Sequence, residues 1–395
     1  MSPARPIAFV APRLAGSGAV GGAETLIKSL AERAARSGRP VHLLTTCATN
    51  HFTWENDLPA GKRQEGPLTI HCFPVDGGRD LDRFGLAQER ISRGRFTRQD
   101  EEAWLAESVN SRTLLEFLSA QPFERIVVGP YLFGLTVAVC QRFPKQAFLL
   151  PCLHDEAFAR VSLFKPVFEN SAGILFNSEP EKQLAMRLYG LPASKGRVVG
   201  MGLDPFEADP AAFARKHGLT APYVVYCGRR EPLKGTPLLF DYMNAFRART
   251  GRDVKLVLTG SGHVPIPASL RAHVLDVGFV SEEEKHEAMA GATAFCHPSL
   301  NESFSIVLLE AWLARTPALV RENCAVLRDH CLRSNGGLWF SRYPEFEEEL
   351  CLLLDRNELR PAMGAAGRAY VEREYSWSAV ERKLFDALEA PPTAG

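Results

Sequence analysis

Ala294 to Val320 reads AFCHPSLNESFSIVLLEAWLARTPALV. The stretch opens on the apolar Ala294, Phe295 and Cys296 and passes through His297-Pro298 into a short polar loop. From Ile306 to Trp312 it carries apolar residues at helical spacing, before Thr316-Pro317 ends the run. The order it predicts is strand, loop, helix, strand.

Two acids punctuate this stretch. Glu302 stands ahead of the helix and Glu310 eight residues on, so at about 1.5 Å per helical residue they lie roughly 12 Å apart along the axis. That separation is too long for carboxylates sharing a proton, and it suits two contacts on one extended ligand, such as a sugar at one end and a ribose at the other. Between them, the free backbone N–H groups of Phe304, Ser305 and Ile306 would mark a helix N-terminus, where the dipole favours a phosphate. Sugar, phosphate and ribose, in that order, describe a nucleotide sugar. Taken alone, the two acids would be a helix cap and a solvated surface group; the rest of the chain favours the ligand reading.

The 395 residues exceed one ordinary core and suit two domains of about 150 to 200 residues each. With 46% hydrophobic and 23% charged residues, both can be well buried. A formal net charge of zero argues against a general attraction to nucleic acid or anionic lipid. Charge is uneven, because Arg79, Arg83, Arg90, Arg93, Arg95 and Arg98 crowd one segment; a solvated helix face or loop is favoured there over a membrane or acceptor-docking patch. Nine cysteines without a CxxC pair read as reduced, buried thiols, and Cys324, His330 and Cys331 lack the second pair a metal site needs. No metal ligands are assigned. The N-terminus lacks a basic-then-apolar leader and the most apolar window, Ile126 to Cys140, is broken by Gly129-Pro130. The expectation is a cytoplasmic protein, at most peripheral at the inner membrane surface.

From the N-terminus, Ile7 to Ala11 is a buried-strand run, followed by a loop with Gly16 and Gly18 and then Gly21-Gly22 opening a helix. A strand feeding a glycine turn at a helix start is how doubly wound folds present N–H groups to phosphates. Gly16-x-Gly18-x-x-Gly21 has the letters of a dinucleotide fingerprint, but it starts several residues after the strand and lacks the later acid, so an NAD site ranks below a sugar-nucleotide turn. Strands are expected at Val41–Thr45, Leu68–Phe73, Arg125–Val128, Ala147–Leu150, Gly173–Phe176 and Val198–Asp204, with helices at Glu101–Ser119, Leu132–Arg142 and Glu179–Leu188 between them. Such alternation means a parallel sheet covered on both faces. His154, in the His154-Asp155-Glu156 cluster after one of these strands, sits where a polar side chain could meet a sugar; a structural role weighs equally. The linker is placed in Pro205 to Ala221.

The alternation then repeats. Tyr223–Cys227 is a strand, and Gly228 to Thr236 a turn whose Arg229 and Lys234 can converge on one anion. Val254–Leu258, the glycine turn Gly260-Ser261-Gly262, Val274–Val277 and a helix from Glu283 to Ala290 lead back to the opening stretch.

Assembled, these residues resemble the large family of retaining glycosyltransferases with two facing Rossmann-like domains, the GT-B architecture. The likeness is strongest from Tyr223 to Val320: Gly228-Arg229…Lys234-Gly235, then Gly260-Ser261-Gly262, then Pro298-Ser299…Glu302-x7-Glu310. The resemblance implies an α/β fold of two doubly wound domains across a cleft, one over residues 1–205 completed by a C-terminal helix at 377–395, the other, for the donor, over 206–376. It implies that Arg229 and Lys234 clamp a diphosphate, that Glu310 binds ribose hydroxyls and that Glu302 holds the donor sugar. Backbone at Ser303, Phe304 and Ser305 would meet the phosphates with Gly21, Gly22 and Gly260 in the donor site, Phe279 and Val280 near the base, and His154 near the sugar. The family usually has glycines where Ser303 and Ser305 flank Phe304, and serines narrow the room for close backbone approach.

The implied reaction is metal-independent, cofactor-free transfer of a hexose, with retention, from a nucleoside-diphosphate sugar to a glycan or lipid-linked acceptor in cell-surface polysaccharide or glycolipid synthesis. A nucleotide-sugar epimerase of the same fold, or an inactive nucleotide-sugar-binding protein, are the alternatives.

Overall fold

The computed structural model describes residues 5–14 and 21–390; Gly16 and Gly18 lie outside them. Contacts divide the chain into two compact units, Met1–Met201 with Val380–Gly395, and Gly202–Ala379.

The first unit carries eight strands: β1 (Ile7–Val10), β2 (Val41–Thr46), β3 (Gly61–Glu65), β4 (Leu68–Phe73), β5 (Arg125–Val128), β6 (Ala147–Leu149), β7 (Gly173–Phe176) and β8 (Gly196–Val198). They form one sheet in the order β3-β4-β2-β1-β5-β6-β7-β8, all parallel except the β3–β4 hairpin. β1 and β7 are buried at every residue because helices cover both faces. One core runs from Val10, Leu44 and Ile126 through Phe164 and Phe168 to Tyr189; each such side chain contributes about 1.5–3 kcal/mol on burial. The C-terminal helix, Trp377–Glu389, donates its end to this unit: Leu388 O accepts from Arg125 Nε at 2.8 Å, and Arg39 stacks 4.6 Å over Phe385.

Two expectations change here, and one strand goes unannounced in the sequence. β3, Gly-Lys-Arg-Gln-Glu, is exposed throughout and has no apolar alternation to signal it; it is held by pairing with β4. The expected strand at Val198–Asp204 is instead β8, ending at Val198, because Gly200 turns the chain at φ +72°. The single helix expected over Glu101–Ser119 is two, Arg98–Ala106 and Arg112–Ala120, the second restarted by the Ser111 hydroxyl, which accepts from Leu114 N.

The second unit carries β9 (Tyr223–Cys227), β10 (Lys255–Thr259), β11 (Val274–Gly278), β12 (Ala294–His297), β13 (Ala318–Arg321) and β14 (Gly337–Phe340). Their order is β11-β10-β9-β12-β13-β14, every pair parallel. Reading outward from β9, the chain first winds one way to β11 and then restarts on the other side at β12. The strand order therefore reverses between β9 and β12, and the crevice at their carboxyl ends is where doubly wound sheets bind ligands.

Candidate active site

The loops after β9 and β12 meet at this reversal, and they carry most of the residues singled out from the sequence. After β9, Gly228 is at φ +147° and Tyr226 donates its hydroxyl to Arg229 O at 2.6 Å, which sets the turn. Gly235, at φ +75°, caps the helix Thr236–Thr250. A Cβ there would stand 2.3 Å from Pro298 O, so only glycine lets the two loops lie against each other. Gly260, after β10, is packed in the same way: its Cβ would meet Gly228 O at 2.2 Å.

Lys234 Nζ donates to Glu302 Oε1 at 2.6 Å, and His297 Nε2 lies 3.1 Å from the same oxygen. Burial alone would raise the Glu302 carboxyl, but Lys234 and then His297 outweigh it and hold the group well below the usual carboxylate range. The result is a largely buried carboxylate, favoured in its ionised form, at the mouth of the crevice. Arg229 is 60% exposed and lies 3.5 Å from Glu231. Lys234 and Arg229 thus each have a carboxylate of their own, and the convergence on one anion expected from their spacing is not formed in this structure. The neighbouring Arg230 is the buried one, donating to Gly262 O at 3.0 Å and to Asp276 at 2.9 Å.

The helix of the opening stretch spans Ile306–Leu313 and its N-cap, Ser305, sits at φ +69°. Glu302 therefore belongs to the loop, and the 12 Å estimate, which assumed helix from Glu302 onward, does not carry across the left-handed turn. Ser305 Oγ is buried with no partner at this N-terminus. Phe304 is buried against His330 and Tyr375, and its carbonyl lies 3.1 Å from His330 Nε2. Cys324, His330 and Cys331 are all buried, and His330 is spent on Phe304 O and the Tyr370 hydroxyl.

On the helix, Glu310 faces Lys285 of the helix Glu282–Ala290 at 3.0 Å. Burial raises the Glu310 carboxyl and Lys285 takes back part of that rise. Glu282, His286 and Glu310 bring three ligand atoms within 4.8 Å of one another, but Lys285 Nζ already supplies the cation, 2.7 Å from Glu282 and 3.0 Å from Glu310. Phe279 is 71% exposed and Val280 partly so, just beyond β11.

In the first unit, Gly21 caps the helix Gly22–Arg36, and its Cα is covered by Glu24, which pairs with Arg13 at 2.7 Å. His154 lies beyond β6, its Nδ1 3.8 Å from Glu156. Glu181, fully buried, accepts from Leu153 N at 2.6 Å and Asn177 N at 2.5 Å and so fixes the loop that carries His154. Burial pushes its carboxyl up to about 8, against those hydrogen bonds.

Sequence reading missed His297, Lys285 and Glu181. His297 was visible as the last residue of a strand, Lys285 only as one charge on an acidic helix, and Glu181 as part of the Asn-Ser-Glu-Pro-Glu helix start.

Two Rossmann-like units, each with its strand-order reversal, constitute the GT-B architecture. The likeness in fold extends over the chain: sucrose-phosphate synthase from Thermosynechococcus elongatus superposes with a TM-score of 0.71 at 16% identity, covering 97% of this chain and 98% of that one. WaaG, a glycosyltransferase involved in lipopolysaccharide biosynthesis, gives 0.67 at 14% identity over 97% and 100%. Residues 209–370 match the model of the family described as glycosyl transferases group 1.

Among curated proteins, the chain is similar to the phosphatidyl-myo-inositol mannosyltransferase of Mycobacterium leprae, 32% identical over 44% of this chain and 47% of that protein. It is also similar to the D-inositol 3-phosphate glycosyltransferase of Jonesia denitrificans, 28% identical over 59% and 60%. The matches span about half to three fifths of these relatives' lengths.

Proposed function

We propose that the protein is a glycosyltransferase that moves a hexose, with retention, from a nucleoside-diphosphate sugar to a glycan or lipid-linked acceptor. The observation that carries this reading is the largely buried Glu302 carboxylate, bonded to Lys234 and 3.1 Å from His297, at the strand-order reversal of the unit that matches the group 1 model. A carboxylate fixed there accepts hydrogen bonds from sugar hydroxyls, and Glu310, one helix turn and more away, accepts from a ribose.

Breaking the anomeric bond leaves positive charge on the sugar ring and added negative charge on the departing diphosphate. In this reading Lys234, Arg229 and the N–H groups at Ser305 and Ile306 stabilise the charge that grows, which lowers the barrier rather than tightening ground-state binding. Arg229, exposed and paired with Glu231, exchanges that carboxylate for the diphosphate in this reading. The acceptor attacks the face the diphosphate leaves, and the diphosphate oxygen takes the acceptor's proton. The chain's own cations supply the leaving-group charge, with neither metal nor cofactor assigned a role. Among the described residues no helix is long and apolar enough to cross a membrane; we place the enzyme in the cytoplasm, meeting a lipid-linked acceptor at the inner membrane surface. The mannosyltransferases among its relatives support a hexose donor.

The test is a panel of UDP-, GDP- and ADP-hexoses with glycan and lipid-linked acceptors, with and without EDTA, followed by NMR of the product anomer. Acceptor-dependent release of one nucleoside diphosphate, insensitive to EDTA and giving the donor's anomeric configuration, is expected. An altered sugar nucleotide formed without acceptor would make the protein an epimerase. Nucleotide binding without turnover on the whole panel would make it a binding protein.

A further inference from the structure

We infer that His297 is a positioning residue whose imidazole takes up a proton when a nucleoside diphosphate draws Lys234 away from Glu302, and so replaces the lysine as the carboxylate's partner. The diphosphate's claim on Lys234 rests on the glycosyl-transfer reading; the geometry around Glu302 does not.

Three groups meet at one oxygen. Lys234 Nζ, from the loop after β9, donates to Glu302 Oε1 at 2.6 Å, and Nε2 of His297, the last residue of β12, approaches the same Oε1 to 3.1 Å. The lysine contact is a formed hydrogen bond and the histidine contact is not: both ring nitrogens of His297 are buried without a hydrogen-bond partner among the described residues. His297 is 3% exposed, so it acts through Glu302 and not on a ligand. Phe295 and Tyr226 flank its ring at 5.6 and 6.5 Å.

Glu302 and a diphosphate are two anionic claimants on one lysine. Among the described residues Lys234 and His297 are the basic groups within 4.0 Å of the Glu302 carboxylate, and Arg229 lies on Glu231 instead. While Lys234 holds Oε1, a second positive charge beside that lysine in a buried site is disfavoured. Once the diphosphate takes the lysine, a largely buried carboxylate is left without its partner, a state far less favourable than the same loss at the surface. A proton from solvent on the imidazole restores the charge balance. An imidazolium carries N–H on both nitrogens, so Nε2 then donates to Oε1 in a charge-assisted bond, and Glu302 keeps its charge and its place.

The neighbouring titratable groups do not compete for that proton. The Tyr226 hydroxyl on β9 and the thiol of Cys324, which caps the helix Ala325–Ser334, both feel the Glu302 charge, but burial first and Glu302 second push both well up, so they stay protonated through the neutral range. On β13 the register partner of His297 is the apolar Val320.

The experiment is calorimetry of UDP, GDP and ADP on the full chain in two buffers of different ionisation enthalpy at about pH 7.5, above the ordinary histidine range. Imidazole 15N spectra of the free and nucleotide-bound protein accompany it, with the His297 signals assigned by their loss in His297→Gln. A nucleotide that binds wild type should bring about one proton more than it brings to Glu302→Gln, whose neutral amide needs none and which cancels any proton the nucleotide itself exchanges. On the same binding the His297 signals should move from the neutral to the doubly protonated form. The wild-type spectra decide by themselves if Glu302→Gln does not fold.

Equal proton uptake in wild type and Glu302→Gln, uptake with His297 left neutral, or an imidazole already doubly protonated without nucleotide would overturn the inference. Any of these results with a bound nucleoside diphosphate leaves the donor site standing and rejects this inference alone. Binding of none of the three nucleotides rejects the donor site, and the inference with it.

Discussion

Glu302 is the residue on which the proposed donor site turns, and its charged form is favoured against its burial because Lys234 and His297 lie 2.6 and 3.1 Å away. Glu302→Gln keeps the shape and removes the charge; loss of a preorganised polar contact of this kind lowers kcat on the order of 10²-fold, and steady-state kinetics would show it. The depressed folded-state carboxyl also makes a stability prediction. A group whose pKa falls on folding contributes its stability above the unfolded value, near 4.5, and loses it as pH drops toward the folded value. Urea midpoints of wild type and Glu302→Gln should differ at pH 6 and converge as pH falls below about 4.5; a constant difference would mean that Glu302 is not held ionised. At this scale Glu302, Glu310 and Lys234 were legible because each stands at a fixed offset from a proline, a glycine or a helix start. His297 and Lys285 were not, because their partners come into reach only through the turn after β12 and the packing of helices 25 residues apart in sequence.

Ser305 and Gly235 are the two turns that let the loops after β9 and β12 close on each other, and they are solved with opposite residues. Ser305 holds φ +69° with a side chain, in a region that costs a non-glycine residue about 1–3 kcal/mol. Ser305→Gly is expected to raise the melting temperature by a few degrees, offset by glycine's greater freedom when unfolded. Gly235→Ala pays the same backbone strain and adds a contact 2.3 Å from Pro298 O. It should lose at least twice the stability lost by Gly218→Ala, which has a similar φ of +64° and open space; equal losses in denaturant melts would show that the loops give way easily. Element by element, the apolar runs and glycine turns announced the second unit's strands from β9 to β13. β3 escaped because an exposed, polar edge strand has no core face to leave a pattern, and the break at Ala106–Arg112 escaped because both halves keep helical spacing.

Across the whole molecule, the regular alternation of strand and helix carried the doubly wound class, and the β9–β12 strand-order reversal carries the candidate donor site. Alternation alone could not say which strands are neighbours, and neighbourhood is what sets the β9 and β12 loops side by side. Donor recognition centred on the loops after β9 and β12 predicts a local footprint: hydrogen exchange with a bound nucleoside diphosphate should slow at 228–236 and 297–310 and leave 74–80 and 106–111 unchanged. Slowing at the latter segments alone would move the nucleotide to the first unit.

The most direct measurement is a melting series of the full chain with UDP, GDP, ADP, CMP and NAD, on wild type and Glu310→Ala. A ligand that binds only the folded state adds ~2.7 kcal/mol at about 100 times its dissociation constant. One nucleoside diphosphate should raise the melting temperature by several degrees, and Glu310→Ala should remove most of that rise. A rise with NAD alone, no rise with any nucleotide, or an equal rise in Glu310→Ala would contradict a donor site at the β9–β12 reversal.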